Sequence, residues 1–307
     1  MINHLKKVLI IVLALALILT TVLSVTAAGT YFLYEGIYYG IDENGEAYVH
    51  SSNGEAWDVV IREKFLNKYD VTEIEEYAFF ENNTVEILSF YEASHLKKLG
   101  ECAFARCSKL KKVDITSSIQ EMGMGVFDSC TALESICFRE GSLKDIPRQC
   151  CYGCTTLSTV TFMNAPASIG PLAFGNCSAL KQIEIPDSVT QIADNAFDGC
   201  DDLVIFCAPH SYADLYAQAN DIPRRYTVPY YINGDTDGDD EVTILDATRV
   251  QRVLAGFSVN DPEGCALRGD VNGNGLDILD ATFIQRWLVN FDDPYGINEP
   301  VPLESIA

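Results

Sequence analysis

Five cysteines, Cys107, Cys130, Cys154, Cys177 and Cys200, recur at intervals of 23, 24, 23 and 23 residues. A fixed period of that length marks a chain wound into stacked coils, each repeating one structural unit. Other columns keep the same phase. Eight residues before the cysteine slot stand Ile74, Leu99, Met122, Ile146, Ile169 and Ile192. Four and three before it stand Ala78-Phe79, Ala103-Phe104, Val126-Phe127, Cys150-Cys151, Ala173-Phe174 and Ala196-Phe197. Three after it come Val85, Leu110, Leu133, Leu157, Leu180 and Leu203. The strand pairs at six and eight after are Leu88/Phe90, Val113/Ile115, Ile136/Phe138, Val160/Phe162, Ile183/Ile185 and Phe206/Ala208. Six coils follow, the first with Asn82 in the cysteine slot.

No such unit buries its apolar columns alone. The units therefore stack, each giving one short strand to a parallel sheet with strands about 4.8 Å apart. Residues alternating with the buried pairs face outward. They are Ile87/Ser89, Lys112/Asp114, Ser135/Cys137, Thr159/Thr161, Gln182/Glu184 and Ile205/Cys207. Lys112, Asp114, Ser135, Thr159, Thr161, Gln182 and Glu184 form the candidate face for a protein or glycan ligand. The alternative is an ordinary solvated sheet, and no aromatic row is present for stacking on sugars. The open ends of a solenoid need covers. Residues 29–70 offer a hairpin turning at Asn44-Gly45, and a helix opened by Ser211 and running to Ala219 offers the other.

Eleven cysteines in a secreted chain would ordinarily suggest disulfides. The periodic five instead mark one repeated slot, so buried reduced thiols are expected there. The pairing of Cys102, Cys137, Cys150, Cys151, Cys207 and Cys265 is not fixed by spacing. Cys151-Tyr-Gly-Cys154 has no second knuckle, so zinc is not expected. Ile192-Ala-Asp-Asn-Ala-Phe-Asp-Gly-Cys200-Asp-Asp-Leu203, with Ile183-Glu-Ile185-Pro186 as strand and exit, resembles the BspA-type bacterial leucine-rich repeat. The expected architecture is a leucine-rich-repeat solenoid over residues 71–225, including its capping helix.

The C-terminal part contains a second duplication. Asp235-Thr-Asp-Gly-Asp-Asp-Glu-Val-Thr-Ile-Leu-Asp246 and Asp270-Val-Asn-Gly-Asn-Gly-Leu-Asp-Ile-Leu-Asp280 each run into Ala-Thr and then Gln-Arg. Alternate oxygen donors closed by a late carboxylate are what calcium requires. The first loop offers Asp235, Asp237, Asp239, the carbonyl of Glu241, Thr243 and Asp246. The second offers Asp270, Asn272, Asn274, Leu276 through its carbonyl, and Asp280, which arrives one residue early. Asp240 holds the turn place usually given to Gly. Two calcium ions are thus expected, against the alternative of metal-free acidic turns. Ala247, Val250 and Leu254, matched by Ala281, Ile284 and Leu288, give each helix its buried face.

A duplicated loop and helix of this kind resembles the dockerin, the module that plugs an extracellular protein into a cohesin on a scaffold. The resemblance implies a small all-α dockerin with paired EF-hand-like loops over residues 234–300, joined by a linker at 226–233. It also implies cohesin contacts at Ile244, Leu245, Gln251 and Arg252, and at Ile278, Leu279, Gln285 and Arg286. Where well-known dockerins carry small hydroxyl residues at the loop end, both copies here read Ile-Leu.

Lys6-Lys7, the apolar run Val8–Leu19 and Ala27-Ala28 read as a secretory signal over residues 1–28, an uncleaved anchor being the alternative. Without it, 19 basic residues face 44 acidic ones, a net charge of −25. That charge argues against nucleic acid or, once the signal is cleaved, a membrane as partner. His4, His50, His95 and His210 form no catalytic motif, and no nucleophile turn or phosphate loop is present. The sequence thus describes an extracellular, non-catalytic subunit of a cellulosome-like complex in plant polysaccharide degradation. The alternative is a hydrolase, of polysaccharide or peptide, carried by its dockerin.

Overall fold

The computed structural model describes residues 23–26, 29–90, 94–139, 141, 143–163, 166–227, 230–239, 241–290 and 294–302. Most of residues 1–28, expected as a secretory signal, lie outside them, as do Asp240 and Pro229. The chain divides into two compact units, one holding residues up to Phe206 with Leu215–Arg224, the other Cys207–Asp214 with Arg225–Ala307.

The first unit is a solenoid. Lys112–Ile115, Ser135–Phe138 and Thr159–Phe162 pair in parallel, Lys112 beside Ser135 and Ser135 beside Thr159. Ile87–Ser89 and Asp58–Val60 extend this front sheet. Every repeated column is buried except at Met122, Phe162 and the two ends of the last strand pair, where exposure is partial. Stacked rings run coil to coil, Phe79 on Phe104 at 4.9 Å and Phe104 on Phe127 at 5.6 Å. The stack stops where Cys151 replaces the ring, and Phe174 on Phe197 resumes it.

Four features depart from the sequence reading. Each coil gives two strands rather than one, because the column from Ile74 to Ile192 builds a second, lateral set of two-residue strands such as Lys98–Leu99 and Glu121–Met122. Winding also begins before residue 71. Ala47–Ser52 pairs in parallel with Tyr69–Ile74, and Asp58–Val60 with Ile87–Ser89. In the last coil the faces reverse. Ile205, not Phe206, lies beside Ile183, and Ile205 and Cys207 are buried. One residue fewer separates Leu203 from its strand than separates Leu180 from Ile183, and a one-residue slip flips every side chain. Finally, most coils hold two residues in the left-handed region, four apart: Tyr77 and Glu81, Cys102 and Arg106, Gln149 and Gly153, Leu172 and Asn176.

The covers follow the sequence more closely. Ile37–Ile41 and Ala47–Ser52 form an antiparallel hairpin, with Gly45 at φ +80° and the Asp42 carboxylate accepting the N–H of Asn44 and Glu46. Gly29–Tyr34 adds a third strand, paired in turn with Leu23–Thr26. Helix α1, Tyr212–Ala219, opens with the Ser211 hydroxyl accepting the Asp214 N–H. Its Tyr216 reaches the Asp194 carbonyl at 3.1 Å and lies edge-on to Phe197.

All eleven cysteines are free. Each ladder thiol donates to a carbonyl of the preceding coil: Cys107 to Phe79 at 3.2 Å, and Cys130, Cys154, Cys177 and Cys200 to Phe104, Phe127, Cys151 and Phe174 at 3.1 Å. Asn82 does the same work in the first coil, its Nδ2 donating to Ser52 and its Oδ1 accepting the Thr84 and Val85 N–H groups. Thiol labelling without reductant is expected to find these five cysteines unreactive in the folded chain and reactive in denaturant. Disulfides among them in a mass map would overturn this.

The second unit contains α2 (Ile244–Leu254), α3 (Pro262–Gly269) and α4 (Ile278–Leu288). Val242, Ala247, Val250, Val271, Ala281, Ile284 and Ile297 form its core, with Phe283, Trp287 and Leu288 against it. Leu254, assigned by spacing to the buried face, is exposed at the last residue of α2. The unit is not purely helical. Tyr230–Ile232, read as linker, pairs antiparallel with Pro300–Pro302 and ties the two ends together. Among the described residues no helix is long and apolar enough to cross a membrane.

Candidate functional site

The two acidic loops lead into α2 and α4. In the first, oxygens of Asp235, Asp237 and Asp239 lie within 4.8 Å of one another. Two ligands on opposite sides of a calcium ion at about 2.4 Å would be about 4.8 Å apart, so these three groups fit that ion. Each such pair of charges repels by roughly 1 kcal/mol even at the dielectric of water. Burial first, then Asp246, Asp239 and Asp235, push the Asp237 carboxyl above its usual range. The Asp235 carboxylate also folds the loop, accepting the Gly238 N–H at 2.6 Å.

Asp246 is not brought into this group. It is buried, one oxygen accepting the Thr236 N–H at 2.7 Å and the other the Thr243 N–H at 2.7 Å. Thr243 caps α2 with its hydroxyl. The closing acid and the Thr expected to meet the metal thus form a capping box. Glu241 is exposed, its N–H donating to Asp239.

In the second loop the Asp270 carboxylate accepts the Asn274 and Gly275 N–H groups, and Asn272 Nδ2 donates to Asp280 at 3.0 Å. Asp280 again sits third in the helix, boxed with Asp277, so the missing residue is absorbed before the cap. Burial, above all, pushes the Asp280 carboxyl up. Counting back from the caps sets Leu276 opposite Val242 rather than Glu241, and its side chain packs on the core.

Beyond the loops, Ile244, Leu245, Ile278 and Leu279 are 55, 66, 56 and 50 % exposed. Gln251, Arg252 and Arg286 are exposed and Gln285 half-buried. Packing of the apolar pairs against the other copy is therefore not what holds them.

On the solenoid's front face, Lys112 and Arg139 both pair with Asp114, while Ser135, Thr159 and Thr161 carry no charge. The front sheet is interrupted between Thr159–Phe162 and Gln182–Glu184. A groove of about 380 Å³ lies there, lined by Thr159, Val160, Gln182, Glu184 and Phe206. The lateral sheet is interrupted one coil earlier, and Pro147 explains it. Glu75, Gly100, Gly123, Gly170 and Ala193 each donate their N–H one coil back at 2.8–2.9 Å, whereas Pro147, in the same column, has none to give. Beside it a groove of about 660 Å³ opens between Glu121 and Asp145.

Residues 72–204 match the model for the BspA type leucine rich repeat region in six copies. Those residues are therefore leucine-rich repeats of the BspA type. Among solved structures the chain is similar to a leucine-rich repeat protein from Eubacterium ventriosum, at 24 % identity over 52 % of this chain and 49 % of that one, TM-score 0.41. It thus spans about half of that protein's length. A leucine rich repeat protein from T. pallidum is similar at 16 % identity over 72 % of this chain and 94 % of that one, TM-score 0.37. A leucine rich cell surface protein from Faecalibacterium prausnitzii is similar at 15 % identity over 67 % of this chain and 97 % of that one, TM-score 0.23. No curated protein matches the chain.

Proposed function

We propose that this chain is a secreted, non-catalytic subunit of a cellulosome-like complex, docked through its second unit and binding a protein or glycan on its repeat face. The second unit is then a dockerin, its two loops holding calcium and its Ile-Leu pairs meeting a cohesin. One observation carries this reading: both copies leave the same apolar pair exposed at the first turn of the helix behind an oxygen-rich loop. Burying one such side chain fully contributes roughly 1.5–3 kcal/mol, so two pairs are a strong reason for a partner.

Because both copies present the same residues, either can face the partner. Replacing Ile244, Leu245, Gln251 and Arg252 with Ala is expected to cost modest cohesin affinity, as is the matching change at Ile278, Leu279, Gln285 and Arg286. Only the combined variant is expected to lose binding. Calorimetry against a panel of cohesins, with and without calcium, reads this. Absence of binding to every cohesin would overturn the docking role, and loss through one copy alone would overturn the symmetric mode. Turnover of xylan, cellulose, pectin or casein by the purified chain would replace a binding subunit with a hydrolase.

A further inference from the structure

Two residues outside the loops' ligand sets tie the loops together. Asn233-Gly234-Asp235 and Arg268-Gly269-Asp270 occupy the same place in the two copies. Arg268, which leads into the second loop, reaches back to the first. Its Nε donates to the Asp235 carbonyl at 2.9 Å and its Nη2 to the Thr236 carbonyl at 3.3 Å. The same Nη2 pairs with Asp261 at 2.9 Å, which offsets the guanidinium charge beside a site meant for a cation. The Arg268 side chain is only 17 % exposed, so this geometry is held by packing.

Asn233, which leads into the first loop, does the converse. It is 7 % exposed, and its Nδ2 donates to the Val271 carbonyl in the second loop at 3.5 Å and to Tyr295 at 2.9 Å. The Gly234 N–H donates to the Arg268 carbonyl at 2.7 Å, joining the two leaders directly. Each loop's opening turn is therefore held by the residue that introduces the other.

We infer that this exchange makes Arg268 a positioning residue for the first calcium loop and Asn233 one for the second, and so couples the two sites; the inference rests on the calcium reading proposed above. An ion in the second loop fixes Asp270 and with it the end of α3. Arg268 is then held on the Asp235 and Thr236 carbonyls, and the first loop has less disorder to lose when its own ion arrives. The contacts run both ways, so the coupling is reciprocal. Sequence distance predicts the opposite assignment, since Arg268 is two residues from the second loop's first ligand and 33 from the first loop's.

Calcium titration of the full chain by calorimetry tests this, with Asp237→Ala as the background that leaves only the second site. In the otherwise unmodified chain, Arg268→Ala is expected to weaken the first site by about tenfold. In the Asp237→Ala background it is expected to change the remaining site by less than about threefold. Asn233→Ala is expected to weaken the site that remains in that background. Arg268→Lys keeps the charge but replaces the planar fork, whose Nε and Nη2 reach the two carbonyls separately, with a single mobile nitrogen, so it should weaken the first site as Arg268→Ala does. It stands in if the alanine variant fails to fold. Amide exchange at Gly238 and Asp239 in chelator supplies a metal-free reading, and is expected to quicken in both Arg268 variants. Weakening confined to the second site, or no change at either, overturns the inference while leaving calcium binding intact. An unmodified chain that takes up no calcium overturns both.

Discussion

Chelation of calcium is expected to lower the melting transition of the second unit sharply and to leave that of the solenoid in place. At calcium about a thousandfold above its dissociation constant, each occupied site adds roughly 4 kcal/mol. The core it supports is small, seven buried side chains between three short helices. Two variants separate the ion's share from the scaffold's. Asp237→Ala removes a ligand from the group of three and touches no cap, so it is expected to abolish the first site's calcium response. In chelator it should be near neutral, because it also removes the burial cost and the carboxylate repulsion that push the Asp237 carboxyl up. Asp246→Ala is expected to cost about 3 kcal/mol even in chelator. It leaves the Thr236 and Thr243 N–H groups, both bonded to it at 2.7 Å, without their acceptor. Calorimetric scans with and without chelator measure all three. A second-unit transition that chelator does not move would sink the metal proposal.

Gly123→Ala is expected to destabilise the solenoid by about 3 kcal/mol, lowering its melting temperature by about 6–12 °C. A Cβ at this position would stand 2.4 Å from the Glu101 nitrogen and 2.6 Å from its Cα. Those atoms are backbone of the preceding coil and cannot swing aside, so the coils would have to part. Gly100 meets the same obstacle at 2.4 Å from the Glu76 nitrogen. Gly45→Ala is the control. Its Cβ would meet nothing within 4 Å, and only the φ of +80° opposes it, a cost of roughly 1 kcal/mol. If thermal scans show the two substitutions to be equally mild, close coil approach is not what the column enforces.

The repeat phase alone determined the six repeats matched over residues 72–204 and all their buried columns but the last strand pair, because a side chain's burial in a solenoid depends on its place in the period; the earlier coil that precedes them carried no such phase. The duplicated acidic loops were likewise legible, whereas the Ile-Leu pairs could be placed at the loop ends but only the structure decided that they are exposed. What burial patterns do not carry is the distance between backbones. Gly100, Gly123 and Gly170 share a column with Pro147, and only the stacked coils show that this column is where one backbone lies on the next. The left-handed residues escaped for a related reason, since Tyr77, Gln149 and Leu172 carry no residue-type signal for that conformation. The reversed faces of the last coil turned on one absent residue in a strand too short for its alternation to reveal it. In the second unit, the sequence supplied the carboxylates but not which of them also cap a helix. Asp246, expected as a ligand by its spacing, also accepts the N–H groups of Thr236 and Thr243, a capping role that its spacing does not reveal. Arg268 and Asn233 reach loops 33 and 38 residues away, a pairing that exists only once the two copies are set face to face.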